Sequence, residues 1–85
     1  MFHRDPRHWL IFEEGTTVRV WLRRTPSLAE WEGILEALHA YLPRAQKVVL
    51  EGPGWESTSG RAIVQVLEEE LPVADVQLVV RALVG

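Results

Sequence analysis

Three consecutive hydroxyls, Ser57, Thr58 and Ser59, stand before Gly60 and the amphipathic run from Arg61 to Leu71, which places them at the expected start of a helix. A helix start offers unpaired amides and the positive end of the backbone dipole, and at a surface this favours an anion by roughly 0.3 to 1 kcal/mol. The chemistry open to this position is anion binding, or acceptance of a phosphate by Thr58 or Ser59. One hydroxyl is also expected to cap the helix, a role for which serine and threonine are preferred. Ahead of the cluster lie Glu51, Gly52, Pro53, Gly54, Trp55 and Glu56, following the apolar Val48-Val49-Leu50. Glu51, Gly52, Gly54 and Trp55 form the expected mouth of the site, at the carboxyl end of a strand, where α/β proteins commonly bind ligands.

Other chemistry is poorly supplied. The two loop glycines match neither the dinucleotide fingerprint nor the phosphate loop with its Gly-Lys-Ser/Thr ending. Glu51 and Glu56 flank the loop as a conceivable acid/base pair, but no third catalytic group accompanies them, and solvated carboxylates are the simpler expectation. His3, Asp5 and His8 lack a second shell to orient them on a metal. His39 sits beside the apolar stripe of a helix as a boundary residue. No catalytic residue, metal or cofactor is therefore assigned, and the chain is expected not to be an enzyme.

The elements that must position the hydroxyls follow from hydrophobic period. His8 to Glu13 and Thr17 to Arg23 read as two strands joined through Gly15. In the second, Val18, Val20 and Leu22 alternate with Arg19, Trp21 and Arg23, the pattern of a strand buried on one side. Ser27 and Glu30 form a capping box, and Leu28, Trp31, Leu35, Leu38 and Leu42, widened by Ile34 and Tyr41, make the apolar stripe of a helix that Pro43 stops. A third strand starts near Gln46. After the glycine loop, Ile63, Val66, Leu67 and Leu71 line a second helix ended by Pro72, and a fourth strand runs from about Asp75 to Leu83. The expected class is α/β in two layers, β-β-α-β-α-β. It is a four-stranded mixed sheet whose right-handed crossovers put both helices on one face.

Composition bounds the partners. A chain of 85 residues is one domain with a modest core, burying about 60% of its unfolded surface, so self-association, as a dimer, is a natural remedy. The surface expected to carry it is the uncovered sheet face with Arg19, Trp21, Arg23, Val79 and Arg81, since tryptophan and arginine are enriched at interface hot spots. The apolar fraction of 47% places the chain among folded proteins. A net charge of −3 provides no global field toward phosphate backbones, which sets nucleic acid behind a protein partner, although residues 1–7 are locally basic and expected to be a solvated leader. The absence of cysteine excludes disulfides, thiolate metal sites and thiol nucleophiles. No apolar run reaches the roughly 20 residues of a membrane span, and the expected location is the cytoplasm. Eight arginines against one lysine, with no asparagine, fit either a GC-rich genome or selection for heat resistance.

From about Thr17 to Leu83 the element order resembles the STAS domain family, the fold of bacterial anti-sigma-factor antagonists. Val48-Val49-Leu50-Glu51 resembles the third strand of that family, which ends in aspartate. Ser57-Thr58-Ser59-Gly60 resembles its Asp-Ser-Ser/Thr-Gly motif, whose hydroxyl a partner kinase phosphorylates, with Ser57 in place of the aspartate and Arg61 where leucine is common. The resemblance implies a regulatory hydroxyl at Thr58 or Ser59 and a protein partner. The leading expectation is thus a non-catalytic interaction module. Two others stand behind it: a single-stranded nucleic-acid surface built on Trp21 between Arg19 and Arg23, and a small anion-binding or enzyme subunit completed by a neighbouring chain.

Overall fold

A computed structural model describes residues 8–81. It contains strands β1 (Trp9–Glu14), β2 (Thr17–Leu22), β3 (Lys47–Glu51) and β4 (Gln77–Arg81), and helices α1 (Leu28–Tyr41) and α2 (Thr58–Glu70). The sheet order is β1-β2-β3-β4, antiparallel in the first pair and parallel in the other two. This is the expected four-stranded mixed sheet with two helices. Both crossovers join parallel neighbours and advance in the same direction, so right-handedness sends both helices to one side. No helix of the described residues is long and apolar enough to cross a membrane.

The alternation along β2 decides what that side holds. Val18, Val20 and Leu22 are wholly buried together with Val48 and Leu50 of β3, beneath Trp31, Ile34 and Leu38 of α1 and Leu67 of α2. Full burial of such side chains contributes about 1.5 to 3 kcal/mol each as an upper estimate, which makes this layer the main driving force for folding. The β1 side chains Trp9 and Ile11 pack against the edge of the same cluster.

Several expected details are corrected. Leu28 is 79% exposed, because it is the first residue of α1, ahead of the turn that meets the sheet. On α2, Val66 points outward and Val64 takes the inward place beside Ile63. Helix α1 ends at Tyr41, and Pro43 lies inside a following 3-10 turn, Leu42–Arg44. Strand β4 begins at Gln77 rather than Asp75: Asp75 adopts a left-handed conformation, φ 61°, after the 3-10 turn Pro72–Ala74, and the Val76 amide bonds back to Leu71. The expected leader and Leu83 lie outside the described residues.

Helix α1 opens with a complete capping box. Ser27 Oγ accepts from the Glu30 amide at 3.2 Å and the Ser27 amide donates to Glu30 Oε1 at 2.8 Å. That backbone bond holds the Glu30 carboxyl below its ordinary value. A native carboxyl that is a stronger acid than its unfolded counterpart stabilises the fold above the unfolded pKa, about 4.3, and loses that contribution as pH falls through the native value. Urea midpoints of wild type and Glu30→Gln are accordingly expected to differ most near neutral pH and to converge below about pH 4. A constant difference across that range refutes the linkage.

Candidate functional site

The connection from β3 to α2 is built by packing against the connection that leaves β2. After Glu51 the chain turns at Gly52, φ 103°, and runs through a 3-10 turn, Pro53–Glu56. A β-carbon on Gly52 would collide with the Leu22 carbonyl, and one on Gly54 would lie 2.5 Å from the Arg24 carbonyl. Gly60 is equally confined, with 2.7 Å between its added β-carbon position and the Gly54 carbonyl. The glycines therefore answer the close approach of backbone to backbone. None of these positions leaves a cradle for a phosphate.

Trp55, expected at the mouth, is a core residue with 2% exposure. The 3-10 turn swings its ring inward under α1, where its indole N–H donates to the Val20 carbonyl at 3.2 Å and its ring lies 5.6 Å from that of Trp31 at a tilt of 60°. Both features are those expected of a buried tryptophan, which needs a hydrogen-bond acceptor and favours inclined aromatic neighbours. Gly52 and Gly54 are likewise buried, so of the four expected mouth residues only Glu51 remains partly accessible.

The three hydroxyls separate into three roles. Ser57 is the N-cap of α2: its Oγ accepts from the Gly60 amide at 3.0 Å and donates to the Gly54 carbonyl at 2.8 Å. Its one proton is spent, and so is the Gly60 amide that an anion would need. Ser59 Oγ accepts from the indole N–H of Trp31 at 3.2 Å, tying the first turn of α2 to α1. Thr58 is exposed and makes no side-chain hydrogen bond among the described residues. One turn along, the exposed Arg61 shares its side of the helix, the spacing at which side chains are neighbours.

The opposite face of the sheet forms a second surface. Register places Leu10 beside Trp21, Glu51 and Arg81 in one row, and Phe12 beside Arg19, Val49 and Val79 in the next. Leu10 is 53% exposed and Phe12 37%, whereas Val49 at the centre is almost covered at 4% although it lies outside the helix-side core. Arg19 reaches across β2 in both directions, with Nε 2.7 Å from Glu14 and a terminal nitrogen 3.1 Å from Glu51. The Glu14 bond, then the Glu51 bond, hold the guanidinium even more firmly in its charged form. Exposed pairs of this kind add little stability, but two carboxylates fix one orientation.

The expected face residues Arg19, Trp21, Val79 and Arg81 are thus brought together. Arg23 continues the same alternation one step past β2, where its amide bonds to the His8 carbonyl. Leu10, Phe12 and Val49 went unassigned. The signal was present for the first two, since antiparallel pairing of a strand reading Trp-Leu-Ile-Phe with β2 must put alternate apolar residues on each side. Glu51 belongs to this face through Arg19, and Glu56 stands exposed beside a groove of about 420 Å³ between α2 and β4, so the two carboxylates do not act on a common site. His39 is exposed, with Nδ1 2.8 Å from the Leu35 carbonyl. His3 and Asp5 lie outside the described residues.

Comparison with protein-family models, with curated proteins and with solved structures found no match.

The division of labour among the hydroxyls is measurable by urea unfolding. Ser57→Ala is expected to cost about 0.5 to 2 kcal/mol through loss of the cap. Ser59→Ala leaves the Trp31 indole N–H without its acceptor, a loss of about 1 to 3 kcal/mol. Thr58→Ala is expected to stay within about 0.5 kcal/mol, as surface substitutions do. A Thr58→Ala loss as large as that of Ser57→Ala contradicts these assignments.

Proposed function

We propose that this chain is a non-catalytic, protein-binding regulatory module of the STAS type, with Thr58 as its modifiable residue. The supporting observation is that, of three adjacent hydroxyls, Ser57 and Ser59 are engaged by the fold and Thr58 alone stands exposed without a partner among the described residues. A kinase needs such a side chain in reach, and the phosphate it adds must be tolerated afterward. Both conditions fit the first position of a helix, where the dipole favours negative charge and Arg61 one turn on can pair with it. Modification here adds charge without breaking a cap or a core hydrogen bond. Its effect falls on what the surface binds and leaves the fold in place.

The surface that would report the change is the end of the sheet where both helices begin. Arg23, Arg24 and Thr25 leave β2 there as exposed residues, alongside Glu56 and Thr58. A dianionic group added at Thr58 alters the field over this rim within about a Debye length, 8 to 10 Å, and so changes the affinity of a docked protein. The partner is a protein of complementary charge, and the module acts by occupancy.

Phosphosite mapping of the chain recovered from its native cells is expected to find phosphate on Thr58 and none on Ser57 or Ser59. A Thr58→Ala chain is expected to carry none. Phosphate on Ser59 with Thr58 unmodified would overturn the assignment, and an unmodified chain throughout growth and stress would remove the regulatory reading.

A further inference from the structure

The charge of the described residues is segregated by face. On the sheet side away from the helices lie Arg19, Arg23, Lys47 and Arg81, with Glu14 and Glu51 as the opposing carboxylates. Elsewhere Arg24, Arg44 and Arg61 are outnumbered by nine carboxylates, among them Glu68, Glu69 and Glu70 at the end of α2. An acidic chain thus presents one basic face. On it, Arg19 is already held by Glu14 and Glu51, while Arg23, Lys47 and Arg81 form no ion pair among the described residues. Among the described residues, the cations without an ion pair lie just past the end of β2 and on β3 and β4.

Aromatic side chains occupy the other half of the same face. Phe12 on β1 and Trp21 on β2 are diagonal neighbours, because Leu10 pairs with Trp21 and Phe12 with Arg19. That relation separates them by about 7 to 8 Å on the uncovered face. Phe12 is 37% exposed and Trp21 half-buried, so each ring is fixed by the sheet and still reachable. Two aromatic platforms on a face that also carries Arg23 and Arg81 near one end and Lys47 at the other are what a sheet uses to hold unpaired bases and the phosphates that join them.

We propose that the uncovered sheet face binds single-stranded nucleic acid, with Phe12 and Trp21 stacking on successive bases and Arg23, Lys47 and Arg81 contacting the backbone. Recognition is of unpaired bases, because stacking needs the ring face that a duplex hides. The observation that favours a polyanion over a second copy is the sign of the face: two copies stacked through it oppose like charges. Stacking the face instead on the acidic helix layer of another copy joins different surfaces and does not close into a dimer. This inference does not rest on modification of Thr58, which lies on the helix side; the two surfaces share Arg23 at the rim.

The test is fluorescence anisotropy of labelled oligothymidylate and oligouridylate of about 12 nucleotides, within the site size of a small single-strand-binding domain, with light scattering on the same samples. Expected are binding by the monomer that weakens steeply between about 50 and 200 mM salt, and a Trp21→Ala loss of about tenfold in affinity. Phe12→Ala reports the second platform if Trp21→Ala fails to fold. The double variant Arg23→Gln/Arg81→Gln is expected to lower the log–log salt slope by about 1.4, at about 0.7 per phosphate contact, while Arg44→Gln, remote from the face, leaves it unchanged. Three results overturn the proposal: no binding at low salt, equal competition by polyglutamate, or self-association that Trp21→Ala abolishes without any oligonucleotide binding. The first removes the ligand, the second reduces the face to unspecific charge, and the third assigns it to a second copy.

Discussion

The indole N–H of Trp55 has to find an acceptor inside the core, and the arrangement of both helix starts depends on the one it finds. Its bond to the Val20 carbonyl fixes the 3-10 turn after β3 over the end of β2. A tryptophan buried without that bond would forfeit an amount comparable to the gain from burying its ring. The close passage it enforces leaves no space for β-carbons at Gly52, Gly54 and Gly60. Trp31 then packs on the same ring and donates to Ser59, so α1 and α2 are joined through two indoles and one hydroxyl.

That junction explains why a cluster that looks like an anion site is mostly structural. Helix α2 starts next to a tryptophan whose placement is non-negotiable, and the serines on either side of Thr58 are drawn into satisfying the local backbone and the neighbouring indole. The Ser57 hydroxyl spends its one proton on the Gly54 carbonyl and so has none to donate to an anion. Thr58, at the first position of the helix, stands exposed and makes no side-chain hydrogen bond among the described residues.

The two faces of the sheet show a second consequence of strand geometry. Alternation along β2 delivers Val18, Val20 and Leu22 to the helices and Arg19, Trp21 and Arg23 to the other side, without any local choice at each residue. Because the helices carry six of the eleven carboxylates among the described residues, the same alternation separates charge as well as polarity. Arg19 is the residue that holds the open face in order. Its two carboxylate partners come from the hairpin and from β3, so it spans three strands while Val49, in register beside it, stays almost covered.

Much of this was legible in the chain itself. Period-two alternation, the Ser27/Glu30 box and the prolines after each helix determined the element order and the sheet with both helices on one side, because those signals act within a few residues. Helix edges and facing residues were less legible: Leu28 and Val66 fit the stripe by spacing alone, and only the angle at which each helix meets the sheet leaves them exposed. The site was least legible. Nothing near Trp55 in sequence shows that it turns inward to Val20, 35 residues earlier, or that Ser59 answers Trp31, 28 residues earlier. Likewise, a net charge of −3 is a sum over the chain, and a sum carries no direction. The excess of cations on one face and of carboxylates elsewhere is decided by strand pairing and helix packing, which bring together residues that the sequence keeps apart.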